Sequence, residues 1–172
     1  MSLENINNLE IEDQIKNVLF TIIDESNHGN LNGDKQWTRR IKELLGELGE
    51  SLHFGVCAGG FQDRFHREWV HDLVWFQESE DRFLIRVPLV VESEWGRTLN
   101  HIKYDFEKLL MSNADLRLMI CQAKPNQLEV FQNYFRKAIS DYTHLNKGAK
   151  FIIAILDDYE SGEFIFETIK KQ

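Results

Sequence analysis

Three carboxylates stand inside apolar runs in the middle of the chain. Asp72 lies in Trp69-Val-His-Asp-Leu-Val-Trp75, and Glu92 and Glu94 lie in Leu89-Val-Val-Glu-Ser-Glu-Trp95. Side chains two apart on a strand project to one face, so Glu92 and Glu94 point together. Acids within apolar strands are costly to bury without a partner. A divalent cation meets that need, because carboxylate oxygens suit magnesium, manganese or calcium. Magnesium held by two carboxylates and waters can generate a nucleophilic hydroxide and stabilise the charge that develops in displacement at phosphorus. Alternation alone also allows Glu92 and Glu94 to line the solvated face of an edge strand.

The elements that must position these acids follow from periodicity. Leu9 to Asp24 carries Leu9, Ile15, Val18, Leu19, Ile22 and Ile23 near helical spacing. Ser26 to Asp34, rich in Asn and Gly, is expected to be a loop. Trp37 to Ser51 is a second amphipathic helix, with Trp37, Ile41, Leu44, Leu45 and Leu48 on one face. Leu52 to Ala58 reads as a short strand ending at the Gly59-Gly60 turn. Glu68 to Phe76 and Phe83 to Trp95 read as a hairpin about the polar stretch Gln77 to Asp81, with Pro88 at a bulge or an edge. Asn100 to Asn113 is a helix, Leu116 to Cys121 a fully buried strand, and Gln127 to Leu145 a long helix with Val130, Phe131, Phe135 and Ile139 inward. Phe151 to Leu156 and Glu163 to Ile169 are two last strands about the turn Asp157 to Gly162, whose acids Asp157 and Asp158 are ordinary turn residues. Interleaved helices and strands predict an α/β domain with a mixed sheet flanked by helices, spanning residues 1–172 as one unit.

This succession resembles the PD-(D/E)XK nuclease core: a helix, a hairpin carrying Asp and then Glu-x-Lys or Glu-x-Glu, a helix and a buried strand. The run Val91-Glu-Ser-Glu-Trp-Gly96 is similar to the Glu-x-Glu variant of BamHI-type restriction endonucleases. The resemblance spans Trp37 to Gln122, about half of the chain. It implies a restriction-endonuclease-like fold in which Asp72 and Glu92 hold magnesium or manganese. Glu94 would then stand where most members have lysine, as base or water positioner. An acid of the preceding helix, Glu43 or Glu47, would join the metal ligands, and a lysine of the following helix, Lys103 or Lys108, would replace the missing strand lysine. His71 stands where the family has proline.

Composition limits the alternatives. The chain has 172 residues and a formal net charge of −8. That charge argues against tight stand-alone binding of nucleic acid, although an acid-rich metal site adds to it. The densest basic stretches are Lys35 to Lys42 and Lys147 to Lys150. No apolar run reaches membrane length, Met1 to Glu10 is not a secretory signal, and Cys57 and Cys121 read as buried thiols. A cytoplasmic protein without membrane contact is expected. His66 and His71 are spaced i, i+5 rather than the i, i+4 of a zinc-protease helix, and Lys35 stands where a calcium loop beginning at Asp24 needs its closing Glu. Trp75 and Trp95 read as core residues. Two functions remain. One is a metal-dependent nuclease acting on nucleic acid. The other is a catalytically silent member of the same fold that binds a protein partner or a second copy of itself. A basic rim near Asp72 favours the first; an apolar patch favours the second.

Overall fold

The computed structural model describes residues 10–29, 31, 33–61, 64–157 and 162–172. Leu9 and Asp158, assigned above to the first helix and the last turn, lie outside the described residues. Helix α1 (Ile11–Asn27) buries Ile15, Leu19, Ile22 and Ile23, a stripe at helical spacing. Helix α2 (Asp34–Ser51) buries Ile41, Leu45 and Leu48 together with Gly46 and Gly49. Six strands follow: β1 (Gly55–Ala58), β2 (Leu73–Glu78), β3 (Leu84–Glu94), β4 (Leu116–Ala123), β5 (Lys150–Asp157) and β6 (Phe164–Lys170). Helix α3 (Leu99–Met111) joins β3 to β4, and helix α4 (Pro125–Asp141) joins β4 to β5.

The strands form one sheet in the order β1-β2-β3-β4-β5-β6. The pairs β3/β4 and β4/β5 are parallel and the other neighbours antiparallel. Strand alternation divides the core into two layers. Leu73, Trp75, Leu89, Val91, Leu118 and Ile120 pack under α1 and α2. Val74, Val90, Met119, Cys121, Phe151 and Ile153 pack under α3 and α4. The mixed α/β sheet flanked by helices is therefore as expected, as are the buried Trp75 and Trp95. Cys57 and Cys121 are buried and free, and burial pushes the Cys57 thiol up to about 11. β4 is buried along its whole length, in keeping with its continuous apolar run.

A close approach of helix to sheet explains one glycine. Trp75 Nε1 donates to the Leu45 carbonyl at 3.0 Å, and a Cβ on Gly49 would sit 2.5 Å from the same nitrogen. Gly49→Ala gains about 1 kcal/mol of helix propensity. It must also push α2 off the fully buried Trp75, and overpacking of this kind costs about 1–3 kcal/mol. We expect a net loss of stability, read as a lower urea midpoint at unchanged slope.

Several boundaries differ from the sequence expectation. Helix α1 runs on to Asn27 and α2 begins at Asp34, so both helices trim the expected Ser26 to Asp34 loop. Leu52 and His53 close α2 rather than open β1. His53 adopts φ 64°, and the Leu52, His53 and Phe54 amides hydrogen-bond to α2 carbonyls. The expected strand from Glu68 begins only at Leu73, because among the described residues the backbone before it pairs with the sheet through one isolated bridge, His66 to Cys57. Trp69 and Val70 are consequently exposed. Helix α4 ends at Asp141, short of Leu145, and Val130 faces solvent while Phe131, Phe135 and Ile139 at i, i+4, i+8 are buried. Pro88 falls in a register irregularity between Trp75↔Leu89 and Gln77↔Arg86, where β3 carries one residue more than β2. The bulge removes the ladder bond that proline cannot make.

Candidate functional site

The acids gather where β2 begins and β3 ends. Leu73 pairs with Val91, which sets Asp72 just before β2 beside Glu92, and Glu92 pairs in parallel with Met119. Glu92 is 1% exposed, among the most buried charged residues described. Its two oxygens are separately satisfied. Oε1 lies 2.7 Å from His71 Nδ1 and Oε2 accepts from Lys108 Nζ at 2.7 Å. An ionised carboxylate only accepts, so Nδ1 carries the proton in the first contact. Burial pushes the Glu92 carboxyl above the usual carboxylate range, and the His71 and Lys108 hydrogen bonds pull it partly back. Lys108 also reaches Asp105 Oδ1 at 2.8 Å, one helical turn earlier on α3. Burial lowers Lys108, but the bonds from Asp105 and Glu92 more than reverse this and hold it above an ordinary lysine.

Glu94 continues the row. It shares the α3-facing side of β3 with Glu92, as alternation requires. Its Oε1 accepts the Gly96 amide, and the nearby Asp105 of α3 acts on its carboxyl. Burial raises Glu94, the Gly96 bond opposes this, and the hydrogen bond and charge of Asp105 raise it further. Neighbouring carboxylates disfavour each other's ionisation, and a cation would relieve this. Asp72 turns differently: its Oδ2 accepts from the Ser93 amide at 2.9 Å and the Ser93 hydroxyl at 2.8 Å. Its negative charge contributes to the raised Glu92.

Of the residues singled out in the sequence, Glu92 and Lys108 touch, Glu94 joins them through Asp105, and Asp72 flanks them. Lys103 instead pairs with Glu107 at 3.6 Å and is half exposed. Glu47 lies on α2, against the other face of the sheet, and is ion-paired with Arg64 at 3.1 Å. Glu43 is held by Arg40 at 2.7 Å. The sequence reading missed Asp105 and treated His71 only as a departure from the family pattern and as a histidine wrongly spaced for a zinc-protease helix. Both had a signal: Asp105 precedes Lys108 by one helical turn, and His71 adjoins Asp72. Among the described residues, no three His, Cys, Asp or Glu side chains converge into a metal-binding group as they stand.

The surroundings are both basic and apolar. Lys35, Arg39 and Lys42 of α2 line a cleft with the Gly59-Gly60 turn. Beside His71 and Lys108 lies a cavity of about 350 Å³, lined by Trp69, Val70, Leu84, Val87, Val90 and Met111 among others. No described helix is long and apolar enough to cross a membrane. The chain matches no protein-family model, no curated protein and no solved structure.

Proposed function

We propose that this chain is a divalent-metal-dependent nuclease of the PD-(D/E)XK type, acting on phosphodiester bonds. The observation that carries this reading is the contact of Lys108 with Glu92, a lysine from the helix after β3 meeting the strand carboxylate that the motif makes a ligand. The order of α2, β1, β2, β3, α3 and β4, with β4 parallel to β3, supports a restriction-endonuclease-like arrangement. The donor set also suits a hard cation. It consists of carboxylate oxygens, and the neighbouring acids Glu94 and Asp105 crowd negative charge that a cation would relieve. Asp72 and Glu92 would hold magnesium or manganese, which lowers the pKa of bound water and offsets charge at phosphorus. In this chain Glu94 would orient or accept a proton from the attacking water. Lys108 would steady Glu92 and present positive charge toward the phosphate. Glu47, on the opposite face of the sheet and paired with Arg64, takes no part in this site.

The test is calorimetric titration of manganese into the wild type and Asp72→Asn. An asparagine oxygen can keep both Ser93 hydrogen bonds, so the variant removes charge with little loss of structure. Saturable binding in the wild type and at least a roughly tenfold loss in the variant are expected, in line with loss of a ligand or its orienting partner. Equal affinity in the two proteins removes Asp72 from the site. A second reading, a silent member of the fold that binds a protein partner, is favoured by the apolar cavity beside Lys108, where Trp69 and Val70 stand exposed. No manganese binding by the wild type would select it.

A further inference from the structure

The overall charge of −8 hides a local concentration of the opposite sign. Lys35, Arg39 and Lys42 follow one another at i, i+4 and i+7, on one face of α2. They line a cleft of about 430 Å³ with Thr38 and the Gly59-Gly60 turn, and Asp34 at the helix start forms its negative edge. A neighbouring cleft of about 600 Å³ shares both glycines and adds His66, Arg67 and Glu68. The two clefts therefore make a continuous groove across the turn.

An anion already sits in that groove, and it belongs to the protein. Glu68 Oε2 accepts from the Gly59 amide at 3.1 Å and from Lys42 Nζ at 3.2 Å. One backbone N–H and one ammonium converging on a single oxygen are the donors a phosphate oxygen takes. Glu68 is half exposed, with its carboxylate held at the surface end of the mostly buried Lys42 and at the Gly59 amide, so a phosphate can compete for the seat. The groove also lies at the proper end of the sheet. Ala58 pairs with Leu73 and Leu73 with Val91, so the turn after β1 flanks the mouth that Asp72 and Glu92 occupy. Trp95, just after Glu94, donates to Thr38 Oγ1 at 2.8 Å and ties the same face of α2 to the end of β3.

We infer that this groove is a track for the phosphodiester backbone of a nucleic acid. One phosphate takes the Gly59 and Lys42 donors in place of Glu68, and Arg39 and Lys35 meet the phosphates that follow. Glu68 is then a built-in competitor that keeps the affinity of an acidic protein modest. The identity of the polymer as substrate rests on the nuclease reading; its binding in this groove does not.

The experiment measures binding of a fluorescently labelled mixed-sequence DNA oligonucleotide, single-stranded and duplex, by anisotropy in EDTA over a range of salt. The chelator stops cleavage, so binding is read alone. In the Lys35→Ala/Arg39→Ala/Lys42→Ala protein the slope of log affinity against log salt should fall by about 2, since each phosphate contact contributes roughly 0.7–0.9. Glu68→Gln should bind roughly three- to fivefold more tightly, the scale of a partly exposed charge pair removed. Wild-type affinity and slope in the triple variant, or weaker binding by Glu68→Gln, would overturn the track. A triple variant that fails to fold leaves the Glu68→Gln result to decide. Binding that follows these expectations without cleavage in manganese would sink the nuclease reading and leave the track standing. Cleavage that is indifferent to both variants would do the reverse.

Discussion

Lys108→Met is expected to lower phosphodiester cleavage by about 10²–10³-fold, the scale of losing one preorganised charge from a reacting centre. It should also destabilise the fold by about 2–4 kcal/mol, because it strips a cation from a carboxylate that is 1% exposed. The lower end allows for the part of Lys108 that remains solvated. The Glu92 carboxyl, already raised by burial, should rise further and take up a proton, which the carboxyl stretch in infrared spectra would report. Pairing this change with Glu92→Leu separates chemistry from structure. An apolar side chain in that position no longer requires Lys108, so the double variant should recover most of the lost stability and none of the activity. Full stability in Lys108→Met alone would mean that the contact contributes nothing to the fold. Full activity would mean that Lys108 has no part in the chemistry.

That pair also marks how far the sequence could be followed. Asp72, Glu92 and Glu94 were legible because acids are conspicuous in apolar strands, and strand parity alone put Glu92 and Glu94 on one side. The lysine was narrowed to Lys103 or Lys108 and no further. Both lie on α3, and only the rotation of that helix against β3 turns Lys108 inward and leaves Lys103 to Glu107. Asp105 needed the same knowledge, since its role depends on meeting Glu94 across two elements. The layers and the helix faces followed from periodicity, because burial drives both. Boundaries failed where local apolar content mimicked an element that the ladder does not support. Leu52 and Phe54 look like strand residues, yet their amides turn back onto α2. Trp69 and Val70 look like core, yet with only one bridge behind them they stand in solvent. Glu47 looked available on its helix, but packing puts α2 over the opposite face of the sheet, and Arg64 claims it.

The raised carboxyl of Glu94 should make metal affinity strongly dependent on pH. Glu94 is raised from its ordinary 4.5, first by burial and then, against the Gly96 bond, by Asp105. A carboxyl raised on folding contributes stability that is fully present below its unfolded value and is lost as pH rises through its folded value. In the metal-free protein Glu94 thus strains the fold as pH climbs above its ordinary 4.5 and its carboxyl ionises beside Asp105. A divalent cation bound beside them takes the place of that proton. Manganese affinity should therefore increase about tenfold per pH unit while one proton is displaced, and level off once Glu94 is ionised. Calorimetry between about pH 5 and 8, in two buffers of different ionisation enthalpy, counts the protons released. Asp105→Asn removes the neighbouring charge and lets an amide donate to Glu94, so the carboxyl should fall back toward its ordinary range. In that variant the pH dependence should flatten, and stability should decline less as pH rises through the titration of wild-type Glu94. Affinity that is independent of pH, with no proton released, would place the cation away from Glu94 and Asp105 and return the assignment to Asp72 and Glu92 alone.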